Sequence, residues 1–244
     1  MLELKILKIG GSIITEKRKD VFEKANEDAI EELCEAIARK PENLILIHGA
    51  GSFGHPYVEK FRLREEKNVY GVSLTHLACS RLNGLICQTL SKFGVSPLPI
   101  HPITFFKKIG SLQCDLDFIL KAVDEGFLPV IHGDMIFCDG KFEVLSGDDI
   151  AIHLAEKLSI DRLGFATDVE GILIDGKLVK KLDYSSIEKI GEAEGKSDVT
   201  GGMKGKVNKI FSMKKRCEVY IFKGDKESVA RFLNGEVVGT QVIL

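Results

Sequence analysis

Short apolar runs that end in a glycine loop recur along this chain. The run Leu44–Ile47 leads into the stretch His48-Gly49-Ala50-Gly51-Ser52-Phe53-Gly54-His55, which holds three glycines and two histidines. Because glycine lacks a β-carbon, such a loop is typical of a backbone whose N–H groups approach a ligand, and an anion is the ligand that they suit. The alternative interpretation is a tight turn without a ligand, which needs only one or two glycines.

Helical patterns separate the apolar runs. The predicted strands are Leu4–Ile9, Asn43–His48, Pro97–His101, Phe127–His132, Arg162–Thr167, Glu218–Phe222 and Gly239–Leu244. The predicted helices are Glu23–Arg39, Tyr70–Phe93, Asp115–Glu125, Ile150–Leu158, Met203–Lys215 and Lys226–Asn234, and hairpins are predicted at Asp139-Gly140-Lys141 and Asp175-Gly176-Lys177. This alternation predicts an α/β fold, a three-layer αβα sandwich with a mostly parallel central sheet. A boundary is expected near residue 160, with one continuous sheet running through residues 1–160 and 161–244.

Charge and cysteine content exclude several classes of protein. The formal net charge is −2, so the chain has no overall attraction for nucleic acid or for an anionic membrane surface. The six cysteines form no C-x-x-C pair, which suits buried thiols in a reducing cytosol better than disulfides or a structural zinc site. The first residues read as a strand rather than a signal peptide, and no apolar run approaches the about 20 residues that span a bilayer. We therefore expect a cytoplasmic protein with no metal ligands of its own and no nucleic-acid or membrane partner.

Five loops are predicted to meet at the carboxyl edge of the sheet, where open parallel sheets bind their ligands. They are Gly10-Gly11-Ser12, Gly49–Gly54, Gly133-Asp134, Thr167-Asp168 and Thr200-Gly201-Gly202. The second loop matches the dinucleotide pattern G-x-G-x-x-G, but that fold needs an acidic residue about 20 positions later. No Asp or Glu lies between Glu66 and Asp115, and no P-loop sequence occurs, so both of these nucleotide motifs are excluded.

Three lysines stand beside these loops. Lys8 lies near the end of a predicted strand, where an apolar residue would be expected. Lys17 follows the first glycine loop, and Lys206 lies one turn into the helix that follows Gly202. Each alone could be a solvated surface charge, although a glycine-rich helix start such as the one beside Lys206 attracts phosphate. Three lysines with three glycine loops predict a site for a polyphosphate and a second anion. Phosphoryl transfer needs little more, because it depends mainly on positioning and on neutralising the moving group.

Successive motifs along nearly the whole chain resemble those of the amino acid kinase superfamily. They are Lys8-Ile9-Gly10-Gly11-Ser12, His48-Gly49-Ala50-Gly51, Ser146-Gly147-Asp148-Asp149, Thr167-Asp168-Val169-Glu170-Gly171 and Asp198-Val199-Thr200-Gly201-Gly202-Met203. Within the superfamily, two stretches resemble motifs of the isopentenyl phosphate kinase family. They are residues 8–17 and the end of the second glycine loop, Ser52-Phe53-Gly54-His55-Pro56. Two positions depart from the family pattern: Ala50, where many members have glycine, and Glu170, where aspartate is usual.

The resemblance implies an ATP-dependent kinase that converts isopentenyl phosphate to isopentenyl diphosphate in an alternative mevalonate route, with Mg²⁺ carried by the nucleotide phosphates. It implies that residues 1–160 hold the acceptor substrate and residues 161–244 the nucleotide. The implied catalytic residues are Lys17, His55 and Lys8. The implied acceptor-binding residues are Ala50, His55 and Gly147, and the implied ATP-binding residues are Lys8, Gly10, Gly11, Ser12, Gly51, Asp168, Gly202 and Lys206.

A phosphate acceptor needs no catalytic base, so the other polar residues are expected to have mainly structural roles. A phosphate monoester has a second pKa of about 6, so at neutral pH it is already a nucleophile and needs no general base. Three acidic residues are accordingly expected to orient lysines and cap a helix: Asp134, Asp148 and Asp149. A more direct part in catalysis for one of them stays open. Five histidines are expected to be structural: His48, His76, His101, His132 and His153. An isoprenoid tail would also need an apolar slot, and we hypothesise that Val72, Leu74 and Thr75 supply one wall.

Two other functions stay open on the residues. A fosfomycin-type phosphonate kinase, or another small-molecule kinase of the superfamily, would share the glycine loops and the histidine at position 55. A regulatory or storage protein would bind nucleotide without turnover, although it would have no need of the cation at Lys17. An apolar face on the helix Glu23–Arg39 or Tyr70–Phe93 would suit a homodimer.

Overall fold

The computed structural model describes residues 3–16, 18, 21–174, 176–190 and 202–244. Its strands are β1 (Lys5–Ile9), β2 (Leu44–His48), β3 (Pro97–Ile100), β4 (Lys107–Ile109), β5 (Ser111–Gln113), β6 (Leu128–His132), β7 (Asp134–Cys138), β8 (Lys141–Leu145), β9 (Arg162–Thr167), β10 (Leu173–Ile174), β11 (Lys177–Leu178), β12 (Lys181–Leu182), β13 (Glu218–Lys223) and β14 (Thr240–Val242). Its helices are α1 (Gly11–Ile14), α2 (Glu27–Ala38), α3 (His55–Lys60), α4 (Val69–Lys92), α5 (Pro102–Phe105), α6 (Leu116–Asp124), α7 (Gly147–Lys157), α8 (Gly202–Phe211) and α9 (Lys226–Leu233), with 3₁₀ turns at Gly51–Phe53 and Tyr184–Lys189. Within these residues, no helix is long and apolar enough to cross a bilayer.

The central sheet has eight strands in the order β12-β14-β13-β9-β1-β2-β6-β3. Its strands pair in parallel, apart from β14, which runs antiparallel to β13. Every residue of β1, β2, β6 and β9 is buried, as expected for parallel strands that are covered on both faces. The prediction of a mostly parallel sheet is confirmed, and strands from both sides of residue 160 belong to it. The division into two functional lobes stays a prediction.

Two apolar clusters lie on opposite faces of the sheet and make the structure three-layered. On one face, Ile45 and Ile47 of β2 belong to a cluster with residues of α6, α7 and α8. On the other face, Leu44 and Leu46 of the same strand belong to a cluster with residues of α2, α4 and α9. We call these the α7 face and the α4 face. Because side chains alternate along a strand, each strand residue before the carboxyl edge can be assigned to one face.

A smaller sheet of four strands, β5-β4-β7-β8, lies beside the main one. Its β7–β8 hairpin turns at Asp139 and Gly140, which have φ values of 42° and 87° as a two-residue hairpin turn requires. The predicted hairpin is therefore confirmed. The strands β4 and β5 were not predicted, because each has only three residues and most of them are exposed.

The helix predicted from Glu23 begins later, at Glu27. Asn26 ends the preceding extended segment, and its side chain accepts a hydrogen bond from the N–H of Ala29, so it caps the helix. The long helix was predicted to within one residue at each end, with Asn68 as its cap. The short helix α3 was not predicted, because the glycines before it and Pro56 at its start break the periodic pattern.

Two glycines with opposite surroundings test the packing of the layers. A β-carbon at Gly164 of β9 would lie 2.7 Å from Phe232 Cζ and 3.0 Å from Phe222 Cε1, whereas a β-carbon at Gly84 of α4 would meet nothing within 4 Å. We expect Gly164→Ala to lower the free energy of unfolding by about 1–3 kcal/mol through overpacking. Gly84→Ala, the matched control, should raise it by up to about 1 kcal/mol because alanine favours helix. Urea unfolding measures both, and two changes of the same sign would contradict the packing described.

Candidate active site

An acidic side chain lies between two lysines at the carboxyl edge of the sheet. We call these three side chains the floor, and the floor with the glycine loops around it the cleft. Lys8 of β1 points to the α7 face, where its Nζ lies 2.7 Å from Oδ1 of Asp148. Lys206 of α8 places its Nζ 3.1 Å from the other oxygen, Oδ2. The side chains of Lys8, Asp148 and Lys206 are only 9%, 22% and 14% exposed. The prediction that Asp148 orients lysines is therefore confirmed.

The pKa values of Asp148 and Lys206 depend on the neighbouring charges. Burial alone would raise the pKa of Asp148, but the charges of Lys8 and Lys206 and their hydrogen bonds outweigh it and hold that pKa well below its ordinary value. Burial, followed by repulsion from Lys8, lowers the pKa of Lys206, while Asp148 and Asp168 act in the opposite direction. One carboxylate thus stands between two ammonium groups, and the local excess of positive charge suits an anionic ligand.

The first two glycine loops touch each other beside this floor. A β-carbon at Gly11 would lie 2.5 Å from the N atom of Gly51, and one at Gly49 would lie 2.6 Å from the N atom of Gly11. Gly51 also has a φ of 50°, which side chains other than glycine rarely adopt. The Thr15 hydroxyl accepts a hydrogen bond of 3.0 Å from the N–H of Ser52 and donates one of 2.8 Å to the carbonyl of Gly11. Glycine is therefore needed here for loop-to-loop contact as well as for approach to a ligand.

Two backbone amides converge next to Gly133. The position that a β-carbon of Gly133 would take lies 3.2 Å from the N atom of Gly147 and 3.7 Å from that of Ala50, with the carbonyl oxygen of Leu145 at 3.5 Å. Gly147 begins α7, and the Ser146 side chain caps that helix through the N–H of Asp149. The first N–H groups of a helix have no partner within it, so they are free to bind an anion. A β-carbon at Gly147 would in turn lie 3.3 Å from Cε of Lys8, so these amides adjoin the lysine floor.

The structure brings together most of the predicted site residues. Six of them lie at the carboxyl ends of β1 and β2 or at the helix starts that face them: Lys8, Gly10, Gly11, Ala50, Gly51 and Gly147. Ser12 lies in α1, and Gly202 begins α8, the helix that carries Lys206. Asp168 follows β9 and is exposed, and exposed His55 begins α3. Lys17 and residues 191–201 fall outside the described residues.

Asp134 was predicted to orient a lysine or cap a helix, and that prediction is wrong. Its Oδ2 accepts a hydrogen bond of 2.7 Å from Nδ1 of His76, and its Oδ1 accepts one of 2.8 Å from the N–H of Met135. The carboxylate is completely buried on the α4 side, away from the lysines. Asp149, by contrast, lies at the capped start of α7 and bonds Lys209 at 2.6 Å, which agrees with its predicted role.

Four of the histidines that were expected to be structural form one cluster. His132 Nε2 lies 3.0 Å from His101 Nδ1, and the His48 and His132 rings are stacked with their centroids 5.7 Å apart. The Ser80 hydroxyl lies 3.3 Å from His76 Nε2. The sequence did hold a signal for this cluster, since His48-Gly49 and His132-Gly133 both end strands that turn out to be neighbours.

Burial keeps the two innermost histidines neutral. Desolvation lowers the pKa of His48 to about 4 and that of His132 to about 3. Cys79, His132 and Asp134 also place possible metal-ligand atoms within 4.8 Å of one another. His132 and Asp134 are hydrogen-bonded already, and burial raises the pKa of the Cys79 thiol well above its ordinary value. These residues therefore fit a hydrogen-bond network better than a metal site.

Comparisons with known proteins show which family the chain resembles over nearly its full length. Residues 3–223 match the model of the Amino acid kinase family. The isopentenyl phosphate kinase of Methanocaldococcus jannaschii is 34% identical over 98% of this chain and 98% of its own, and that of Haloferax volcanii is 34% identical over 99% of both. A crystal structure of isopentenyl phosphate kinase superposes with a TM-score of 0.83 at 29% identity, covering 98% of this chain and 100% of that one.

The cleft floor should respond to the loss of its one negative charge. In Asp148→Asn two buried ammonium groups face each other without a counter-charge, so the free energy of unfolding should fall by about 3 kcal/mol. Asp149→Asn is the control, because its pair with half-exposed Lys209 should contribute at most about 1 kcal/mol. Tripolyphosphate should restore more stability to Asp148→Asn than it adds to the wild type. Equal losses in the two variants, measured by urea unfolding, would contradict a coupled floor.

The buried histidines predict a dependence of stability on pH. In the unfolded chain a histidine has a pKa of about 6.5. As the pH falls below that value, these histidines bind protons in the unfolded state, whereas His48 and His132 stay neutral in the folded state, so the unfolded state is favoured. Each should cost about 1.5 kcal/mol of stability between pH 6.5 and pH 5. Urea unfolding at several pH values measures the loss, and His48→Asn should remove about half of the slope. A flat profile would show that these imidazoles are protonated in the fold.

Proposed function

Because the chain belongs to the amino acid kinase family, we propose that it transfers the γ-phosphoryl group of ATP to isopentenyl phosphate and so forms isopentenyl diphosphate. Identities of 34% to two isopentenyl phosphate kinases over nearly full length support this substrate. The acetylglutamate kinase of Bacillus cytotoxicus, which also matches nearly the full length, is only 26% identical. The reaction would make this chain a phosphotransferase with a phosphate group as acceptor.

The observation that carries the proposal is the arrangement of backbone amides and lysines around Asp148, which we interpret as two anion subsites. The amides of Ala50 and Gly147 lie close together near Lys8, and Lys206, near the start of α8, pairs with the other oxygen of Asp148. The acceptor phosphate would occupy the first subsite and the nucleotide phosphates the second. An acceptor phosphate is largely dianionic at neutral pH, so the chain needs to align and neutralise the two groups rather than remove a proton.

Each residue of the cleft receives a proposed role in this reaction. On the acceptor side, the backbone of Ala50 and Gly147 and the side chain of His55 would bind the phosphate. On the nucleotide side, the proposed contacts are Lys8, Gly10, Gly11, Ser12, Gly51, Asp168, Gly202 and Lys206. Lys17 would stabilise the transferring group, and Lys8, which borders both subsites, would neutralise charge between them. The proposed acceptor part thus lies within residues 1–160, and the proposed nucleotide part draws on residues 161–244.

We propose that Mg²⁺ reaches the cleft with the nucleotide. Each oxygen of Asp148 is paired with a lysine, so this carboxylate suits a metal that the phosphates hold rather than one that the protein holds. When bound, Mg²⁺ supplies positive charge to the nucleotide phosphates. Lys8 and Lys206 supply the remaining charge from the chain.

The isoprenoid tail is proposed to lie near the start of α4. Val72 packs with Met135 of β7, Val58 of α3 and Leu63 in an apolar cluster of its own. Thr75, one helical turn after Val72, is also buried, and its hydroxyl donates to the carbonyl of Gly71. Leu74 points elsewhere on the helix, because residues two apart do not share a face. Val72 and Thr75 therefore remain the proposed wall, with Leu74 at its margin.

A cytoplasmic location and a homodimer complete the proposal. All six cysteines are free thiols in the structure, which suits a reducing compartment. On α4, Val69, Tyr70 and Leu77 are exposed apolar residues that could be covered by a second copy of the chain.

The proposed reaction is tested by steady-state turnover of the purified chain with ATP, Mg²⁺ and a panel of acceptors. We expect isopentenyl phosphate to be phosphorylated with a higher kcat/KM than fosfomycin, acetylglutamate or uridine monophosphate. Preferred turnover of a phosphonate would assign the chain to a phosphonate kinase. Nucleotide binding without turnover of any acceptor would favour a regulatory or storage protein.

Substitutions at Lys17 and His55 test the proposed division of roles. Lys17→Ala should lower kcat about 100-fold or more with little change in either KM, because the charge acts on the transition state. Arg18→Ala is the matched control, since this neighbouring cation pairs with Glu16 and is 70% exposed. His55→Ala should raise the KM of the acceptor about tenfold and that of ATP much less. Full activity of Lys17→Ala, or equal changes of both KM values in His55→Ala, would refute the assignment.

A further inference from the structure

We propose that His48 is a positioning residue whose Nδ1–H holds the carbonyl of Gly49 and thereby turns the N–H of Ala50 towards the acceptor phosphate. The proposal rests on the proposed function for the identity of that phosphate. The sequence predicts only a structural role for this histidine, and the contact that indicates the positioning role is a hydrogen bond of 3.0 Å between Nδ1 of His48 and the carbonyl oxygen of Gly49.

The direction of this hydrogen bond follows from the partners of the ring. His48 is fully buried and its pKa is lowered to about 4, so at neutral pH the ring carries one N–H. A carbonyl oxygen can only accept, so the proton is on Nδ1 and Nε2 must accept. The Asn83 side-chain nitrogen lies 3.1 Å from Nε2 and 3.2 Å from the carbonyl of Val130, while Cys87 donates to the Asn83 oxygen. Each donor in this series of hydrogen bonds thus has an identified acceptor.

The planarity of the peptide bond transmits the contact to the cleft. Side chains alternate along β2, so His48 lies with Leu44 and Leu46 on the α4 face, where Asn83 also lies. The bond to Nδ1 therefore draws the Gly49 carbonyl to the α4 face. In a trans peptide the C=O and the next N–H point in opposite directions, so the N–H of Ala50 is turned to the α7 face.

The α7 face is where the acceptor subsite lies. The N atoms of Ala50 and Gly147 are 3.7 Å and 3.2 Å from the position that a β-carbon of Gly133 would take, and a β-carbon at Gly147 would lie 3.3 Å from Cε of Lys8, which points to the same face. Among the described residues, no group accepts a hydrogen bond from the N–H of Ala50. Ala50 therefore offers a donor whose direction is fixed before the ligand arrives, which lowers the entropy cost of binding.

The same device recurs on the neighbouring strand. His132 Nδ1 lies 3.1 Å from the carbonyl of Gly133, and its Nε2 accepts from His101 Nδ1 at 3.0 Å. The two histidines end adjacent strands in register, His48 opposite His132. Two neighbouring glycine loops thus have their first peptide fixed from the α4 face by a buried neutral imidazole.

Three substitutions at position 48 separate the hydrogen bond from the bulk of the ring. His48→Asn keeps a donor close to the place of Nδ1, His48→Gln places its amide near Nε2 instead, and His48→Leu keeps volume without any donor. Leu46→Ala, two residues earlier on the same strand and face, is the control for loss of core packing. For every protein we would measure the calorimetric Kd of isopentenyl phosphate and of inorganic phosphate, both KM values, and the midpoint of urea unfolding.

We expect His48→Leu and His48→Gln to raise the Kd and KM of isopentenyl phosphate about tenfold, or about 1.4 kcal/mol, with the KM of ATP changed less than threefold. His48→Asn should recover most of that loss. Leu46→Ala should lower the unfolding midpoint without changing the ratio of the two KM values. The proposal is overturned if His48→Asn loses as much affinity as His48→Leu, or if the acceptor and ATP constants rise in equal proportion.

The measurements also distinguish this proposal from the proposed function. Absence of turnover by the wild type with isopentenyl phosphate counts against the substrate alone. In that case the Kd of inorganic phosphate still tests His48, since the Ala50 N–H would bind any phosphate at this subsite. The same order of variants, with Asn close to wild type and with Gln and Leu weakened, supports the positioning role, and equal affinity in all variants refutes it.

Discussion

The candidate site depends on one carboxylate held between two buried ammonium groups. Lys8 comes from β1 and Lys206 from α8, and Asp148 at the start of α7 pairs with both. Without the carboxylate, the two lysines would repel each other in a setting that already lowers the pKa of Lys206. With it, they form a floor that is still positive by one charge and that becomes more favourable when anions bind. The stability of this edge of the sheet and its affinity for phosphate are therefore coupled through the same three side chains.

The glycine loops around this floor serve packing and binding together. Gly11 and Gly49 approach so closely that a β-carbon on either would collide with backbone, and this contact joins the ends of β1 and β2. The same close approach leaves the peptide units free of side chains on the ligand side. Polar groups on the α4 face fix the orientation of those peptide units through hydrogen bonds, and the His48 ring is the clearest case. Substitution by alanine in such loops should thus affect folding and binding at once.

Much of the fold could be predicted from the sequence, because it follows from local patterns. Apolar runs followed by glycine and helical periods predicted the parallel sheet, and Lys8 is a candidate site residue because a cation stands where the strand pattern favours an apolar residue. Contacts between distant segments could not be predicted in this way. Asp134 was paired with the wrong class of partner, since nothing in the spacing shows that His76 lies 2.7 Å from it. The histidine cluster was missed for the same reason, because it depends on the pairing of β2 with β6, between which 79 residues lie in the sequence.

A crystal structure of the chain with isopentenyl phosphate and a non-hydrolysable ATP analogue tests the central claim most directly. We predict that the acceptor phosphate lies within hydrogen-bond distance of the N atoms of Ala50 and Gly147. The terminal nucleotide phosphate should then lie between Lys8 and Lys206, on the other side of the floor. An acceptor phosphate bound elsewhere, with both amides contacting only solvent, would contradict the account.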